Sequence, residues 1–267
     1  MKLSFSKYEG TGNDFIIIDN RSGQAKVLGT SIIEKLCHRK TGIGADGLIL
    51  LENASGFDFR MVYYNADGKE STLCGNGGRC IAAFAMSKGI VGIHSRFLAI
   101  DGPHEAEIRT AGLHRYRVKL QMKNTSIPTE NASALVFDTG SPHIVIATEN
   151  LMKTDVFNRG REIRNSDKFV REGINVNFAE VIDKKVFVRT YERGVEDETL
   201  SCGTGVTAAA MAASCWGWVN ECPVMIGTPG GDLSVTFEKG DGLFTQVYLE
   251  GPVSCTFTGE FETESFQ

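Results

Sequence analysis

Cys74-Gly75-Asn76-Gly77-Gly78-Arg79 runs straight into the Ala-rich stretch Cys80-Ile81-Ala82-Ala83-Phe84-Ala85, and 128 positions later Cys202-Gly203-Thr204-Gly205-Val206-Thr207 leads into Ala208-Ala209-Ala210 in the same way. Both copies set one thiol immediately before a Gly-x-Gly turn that opens an apolar helix. The first N–H groups of a helix have no partner within it and lie at the positive end of its dipole. Such a turn can therefore hold a carboxylate and favour a thiolate. Taken singly, either turn also reads as a Gly-rich bend before a buried helix. Taken together, they predict two thiols presented to opposite sides of one small anionic substrate.

The surrounding sequence keeps the same offset. Thr11-Gly12-Asn13-Asp14-Phe15-Ile16-Ile17-Ile18 returns as Thr139-Gly140-Ser141-Pro142-His143-Ile144-Val145-Ile146, Gly89 as Gly217, and Gly102 as Gly230. Chance matches of Gly and Ala would not respect one spacing from Thr11 to Gly102. The chain thus reads as two copies of one unit, residues 1–124 and 125–267, with Asn124-Thr125-Ser126-Ile127-Pro128-Thr129 as the linker. A duplication of this kind predicts a pseudo-twofold axis and a ligand site at the interface of the copies.

Within the first copy, Leu3-Ser4-Phe5 and Phe15-Ile16-Ile17-Ile18-Asp19 read as strands around a turn at residues 9–14. Ser31 to Cys37 reads as a short helix capped by Thr30 or Ser31. Gly42-Ile43-Gly44-Ala45-Asp46-Gly47 matches a dinucleotide-binding pattern by letter, but a helix precedes it and the strand Leu48-Ile49-Leu50-Leu51 follows. That order is the reverse of what the pattern requires, which excludes a nucleotide cofactor there. Phe59 to Tyr64 alternates as a strand, Asn65-Ala66-Asp67-Gly68 turns, and residues 77–87 form a helix apolar on nearly every face, stopped by Gly89. Strands broken at Asp101-Gly102-Pro103 and Ala111-Gly112 fill the rest of this half.

Net charge of −5 and an isoelectric point near 5.6, without Lys/Arg runs, argue against nucleic acid or an acidic membrane surface as partner. A small molecule is the expected ligand. The start of the chain lacks an apolar secretory core, and the longest nearly apolar run, residues 206–219, is too short to span a bilayer. The expectation is a soluble cytoplasmic protein. Seven cysteines without framework or zinc-site spacing predict reduced thiols and no metal, with Cys37, Cys80, Cys215, Cys222 and Cys255 as small hydrophobes.

Paired thiols suit removal of an α-proton from an amino acid without pyridoxal phosphate or metal. The carbon acid is weak, so a base must sit against the C–H bond in a dry site whose fixed dipoles stabilise charge spreading onto the carboxylate. Inversion requires a second, protonated group on the other face. A thiolate and a thiol, titrating as a coupled pair, meet both needs.

Asn13-Asp14-Phe15, Asn65-Ala66-Asp67-Gly68, the motif at Cys74, Pro142-His143, Tyr191-Glu192-Arg193-Gly194, Glu198-Thr199 and the motif at Cys202 together resemble the diaminopimelate epimerase family, in order and over nearly the whole chain. The resemblance implies an α+β fold of two pseudo-symmetric units, each a curved, barrel-like mixed sheet around a central helix, with residues near 255–267 crossing back to the first unit. It further implies a homodimer without cofactor that converts LL-2,6-diaminopimelate to the meso isomer for lysine and cell-wall synthesis. By position it makes Cys74 and Cys202 the two bases, with His143 and Glu192 beside them. Gly75, Asn76, Gly203 and Thr204 would then bind the reacting carboxylate, and Asn13, Asn65, Asn175, Glu192 and Arg193 the ammonium and distal carboxylate groups. Arg193 suits bidentate grip of a carboxylate. Ser141 departs from the family pattern, where Asn precedes Pro142-His143; a hydroxyl lacks the amide's reach toward the substrate's distal end. Two other readings stay open: a proline or hydroxyproline racemase on the same scaffold, and a thiol redox or amino-acid-binding protein without catalysis.

Overall fold

A computed structural model describes residues 1–72, 74–129 and 132–266. The contacts divide the chain into two units: Met1–Leu120 together with the chain from Gly251 onward, and Gln121–Glu250.

The first unit contains β1 (Lys2–Gly10), β2 (Asn13–Asp19), α1 (Thr30–Cys37), β3 (Gly47–Glu52), β4 (Phe59–Asn65), α2 (Gly75–Ser87), β5 (His94–Ala99), β6 (Gly102–Gly112) and β7 (Arg115–Gln121). The second contains β8 (Thr125–Ser126), β9 (Ala134–Asp138), β10 (Pro142–Ala147), α3 (Val156–Arg164), β11 (Asn175–Ile182), β12 (Lys185–Glu192), β13 (Asp197–Thr199), α4 (Gly203–Cys215), β14 (Val224–Thr228) and β15 (Gly231–Gly240). The long strand β16 (Leu243–Glu262) gives its first part to the second unit and its remainder to the first.

In the first unit β1 to β7 pair in chain order, β7 pairs with β16, and β16 returns to β1 with Leu3 opposite Phe261. These strands close a ring. The pairs β2–β3 and β4–β5 are parallel and their neighbours antiparallel, so the sheet is mixed. α2 packs against β1, β2, β3, β4 and β6 and is buried from Gly75 to Ala85. A helix of Gly, Ala and apolar residues on every side offers no polar face to water, which is why it occupies the interior. Strands β2 and β3 are apolar on both faces because a second cluster waits outside: Ile16, Ile18, Leu48 and Leu50 pack with Ile33 and Leu36 of α1.

The second unit repeats this plan with β9, β10, β11, β12, β14, β15, β16 and β8 in pairing order, and α4 packed against β9 to β12, β14 and β15. The parallel pair keeps the sequence offset: Phe15 lies opposite Gly47 in the first unit and His143 opposite Asn175 in the second. The antiparallel neighbour slips by one residue, with Ile49 opposite Tyr63 but Asn177 opposite Thr190. Both central helices end alike. Gly89 and Gly217 adopt positive φ, and the bonds Ile90 N–H to Ala85 O and Trp218 N–H to Ala213 O, 3.0 and 2.9 Å, close a Schellman turn in each.

Four readings from sequence shift in detail. Gly29, in an extended conformation, rather than Thr30 or Ser31, caps α1, and α2 begins at Gly75 rather than Gly77. Thr125–Ser126, read as linker, pairs as β8 with Leu243 and Phe244. Cys222 is exposed, unlike a small core hydrophobe, whereas Cys37 and Cys80 are buried. Among the described residues no helix is long and apolar enough to cross a membrane.

Candidate active site

Each cysteine of the two motifs is the N-cap residue of the central helix of its unit. Cys74 and Cys202 have extended backbones, and their carbonyls accept the first helical bonds from Gly78 and Val206 at 2.7 and 2.8 Å. The N–H groups of Gly75 and Asn76, and of Gly203 and Thr204, precede those bonds. They are the donors that a helix leaves for a cap or an anion.

In the first unit, Thr11 and Gly12 turn β1 into β2 with φ of 54° and 86°. This tight hairpin puts Asn13 at the start of β2, where its Oδ1 accepts from the Cys74 thiol at 3.4 Å and from Asn76 Nδ2 at 3.4 Å. Asn13 Nδ2 donates to the Asp46 carboxylate, which fixes which end of the amide faces the sulfur. Asp46 also receives the Asp14 N–H and the Arg39 guanidinium. Asp14 in turn binds Lys7 and Arg39, at 2.6 and 2.8 Å. Burial would raise the Asp14 carboxyl, but the Arg39 and Lys7 hydrogen bonds outweigh it and hold the pKa down at about 2. Asn65 is exposed at the end of β4, with its backbone bonded to Lys69 and Gly68. Its register partner is Gly47 of β3.

In the second unit the support is a neutral hydrogen-bonded chain. Asn177 Nδ2 donates to Ile144 O at 3.0 Å and to His143 Nδ1 at 3.1 Å, while its Oδ1 accepts from Thr190 Oγ1 at 2.9 Å. Since Nδ1 accepts, the imidazole proton is on Nε2, which lies 2.8 Å from Thr204 Oγ1 and 2.9 Å from Ser141 Oγ. The Thr204 hydroxyl lies 3.4 Å from the Cys202 sulfur. Burial, reinforced by the Arg193 charge, pushes the His143 pKa down to about 3, so the ring is neutral at physiological pH. It acts as a hydrogen-bond donor, not a cation. Ser141 sits at the hub of this chain beside Thr204 and Asn175, not reaching outward as an amide would.

Asn175 donates to Pro142 O at 3.0 Å and accepts the Arg193 N–H at 2.9 Å, so it joins His143 and Arg193. The Arg193 side chain is exposed, with Nη1 donating to Glu172 O. Glu192 accepts from Thr199 Oγ1 at 2.9 Å. Sequence reasoning assigned no role to Asp46, Asn177 or Arg79. Asn177 shares the strand face of Asn175, two residues on, which was its available signal. Asp46 lies in the Gly-rich stretch whose nucleotide-binding reading the order of elements excludes, and Arg79 in the motif itself.

The family model for diaminopimelate epimerase matches residues 5–125 and 135–256. The chain is 48% identical over 256 residues to the diaminopimelate epimerase of Flavobacterium psychrophilum, covering 96% of this chain and 98% of that one. It is 42% identical over 259 residues to the enzyme of the same name from Chlorobaculum tepidum, covering 94% and 98%. In structure it is similar to a phenazine biosynthesis protein of the PhzF family from Bacillus anthracis (TM-score 0.72, 14% identity, 98% and 99% coverage). A probable proline racemase from Agrobacterium radiobacter is similar to the same degree (TM-score 0.72, 13% identity, 97% and 93% coverage). Those two show the fold alone. The matched residues take in both cysteine-capped helices and their supports, and the chain belongs to the diaminopimelate epimerase family.

Proposed function

We propose that this protein is a cytoplasmic, cofactor-independent epimerase that interconverts LL- and meso-2,6-diaminopimelate, a step of lysine and cell-wall synthesis, with Cys74 and Cys202 as its two bases. One observation carries the reading: each unit caps its buried central helix with a cysteine whose sulfur is hydrogen-bonded to a fixed side chain, Asn13 in one case and Thr204 in the other. A lone buried cysteine needs neither feature.

In the reaction one thiolate removes the α-proton, and the electron pair of the C–H bond spreads onto the α-carboxylate. The helix N–H groups at Gly75, Asn76, Gly203 and Thr204 stabilise that charge without reorganising. The opposite thiol gives its proton to the other face, so one proton enters the substrate for each that leaves. Thr204, oriented by neutral His143, donates to Cys202 when it is a thiolate. Asn13, Asn65, Asn175 and Glu192 receive the ammonium groups, and Arg193 the distal carboxylate. That second carboxylate separates this reading from a proline-type substrate, which has one; turnover of both compounds compares them.

The test is exchange of the α-hydrogen in heavy water. Cys74→Ala and Cys202→Ala should each remain folded and lose epimerisation. Full epimerisation by either variant would end the two-base reading.

A further inference from the structure

Arg79 is 0% exposed, yet it carries a full charge on the buried helix α2. Its Nη2 donates to Thr11 Oγ1 at 3.2 Å, and among the described residues its Nε and Nη1 have no hydrogen-bond partner. A guanidinium does not shed its proton in proteins, and a buried charge without a carboxylate partner is costly. The surrounding chain accommodates it at further cost. Thr11 holds a left-handed backbone, φ 54°, that a β-branched residue rarely adopts. Gly10 leaves the room: a Cβ there would lie 3.2 Å from Arg79 Nη2. The ionisable groups that bear on the guanidinium are Cys80 and Cys74 of its own helix and Glu9 of β1. Cys80 is enclosed in the core, where burial raises its thiol far out of the neutral range. Glu9 accepts from Gly12 N–H at the surface. Cys74, at the mouth of the helix, remains as the group that can answer the charge.

The second unit has no counterpart. At the matching helical position stands Thr207, whose hydroxyl donates to Gly203 O at 2.9 Å, and the matching Thr139 donates to Thr204 O at 2.9 Å. Opposite the position of Gly10 stands Asp138, which pairs with Lys123.

From this difference we infer that Arg79 is a positioning residue that supplies the buried counter-charge for the Cys74 thiolate, so that Cys74 ionises before Cys202 and the two bases are electrostatically unequal. Asn13 Oδ1 opposes it by accepting from the Cys74 thiol. A thiol is a weak donor, however, whereas an opposite charge in a poorly solvated site shifts an acid by roughly one to three pH units. The charge wins. The catalytic meaning of the order rests on the two-base reading above, but its measurement does not, because it uses no substrate.

The experiment is site-resolved alkylation with iodoacetamide as a function of pH, read by mass spectrometry. It is run on Cys202→Ser to follow Cys74 and on Cys74→Ser to follow Cys202, so that neither titration is coupled to the other. The Cys74 midpoint should lie about one pH unit or more below that of Cys202. Adding Arg79→Met should raise the Cys74 midpoint by a similar amount, while in the Cys74→Ser background it leaves Cys202 unmoved; a purely structural role for Arg79 would move both or neither. A Cys202 midpoint equal to or below that of Cys74 overturns the inference even if Arg79→Met does not fold. So does an unchanged Cys74 midpoint in a folded Arg79→Met protein. Loss of the two-base reading would appear separately, as epimerisation that survives removal of either thiol.

Discussion

Gly77 and Gly205 occupy the same position of the two central helices, 128 residues apart, and the same substitution should have opposite fates there. Replacing a helical Gly by Ala gains at most about 1 kcal/mol from backbone entropy. At Gly77 the new methyl would lie 3.2 Å from Ile49 Cδ1 and 3.4 Å from Met61 Cε, the flexible ends of apolar side chains. Small rotations relieve both contacts, so Gly77→Ala should fall within about 1 kcal/mol of the parent. At Gly205 the methyl would lie 2.3 Å from Asn177 Oδ1 and 3.3 Å from His143 Nδ1. Asn177 cannot yield cheaply, because Thr190, Ile144 and His143 all hold it in a buried position. Moving it breaks at least two bonds and strands buried polar groups at about 1–3 kcal/mol each. Against the helix gain, a net loss of about 1–5 kcal/mol remains. His143 then loses its tautomer-fixing partner and Thr204 its orientation, which should lower turnover about a hundredfold, the scale for a misplaced catalytic group. Urea unfolding and epimerisation of the two variants side by side provide the assay. A Gly205→Ala protein as stable and as active as Gly77→Ala would refute the hydrogen-bond chain as the support of Cys202.

Asp46→Ala frees Asn13 Nδ2 and should slow epimerisation at least about tenfold with the fold intact by circular dichroism, because the amide no longer holds its oxygen toward Cys74. His143, lowered to about 3 in the folded chain from an ordinary 6.5, binds its proton more readily when unfolded. Stability should therefore fall by about 1.4 kcal/mol per pH unit below 6.5, reaching about 2 kcal/mol by pH 5, and His143→Gln should flatten that slope in unfolding measured against pH. Asp14, held at about 2, contributes stability present above its ordinary 3.8 and lost as pH falls toward 2, a lower window that Asp14→Asn should remove. Arg189→Met leaves Glu198 without the two 2.7 Å bonds that hold it and strips donors from Leu151 and Thr154, so thermal unfolding should show a loss of about 2 kcal/mol or more.

What could be read from the chain follows the range over which each interaction acts. The cysteine caps, the glycine stops and the buried helices are local patterns repeated at one spacing, so both central helices are visible, and the bounds of α2 within two residues. Residues whose partners lie across the fold are not. Arg79 meets Thr11 from 68 residues away, and nothing beside it in sequence announces that a charge must be buried there. Gly29 caps α1 although Thr30 and Ser31 have the better capping side chains, because Gly29 O already accepts from Ile32 and Ile33. The register slip hides Asn177 in the same way. An unbroken offset would set Tyr191 opposite it, whereas the hydroxyl of Thr190 arrives there and satisfies Oδ1.

The duplication supplies both units with one backbone, so their chemical differences reside in the side chains beneath each turn. Phe15, Ile49 and Arg79 lie where the other copy has His143, Asn177 and Thr207. These two supports differ in reach. The Thr204 hydroxyl helps Cys202 only while it stays near its present 3.4 Å and points at the sulfur, and that aim depends on every bond back to Thr190. A buried cation acts through distance, weakly dependent on angle, and in a site that excludes water it is little screened. A shift of several tenths of an ångström in the first turn of α4 should thus uncouple Cys202 from its donor, while the same shift in α2 leaves Cys74 within the field of Arg79. The two units thus differ in how their thiols tolerate displacement: directional support in one, charge support in the other.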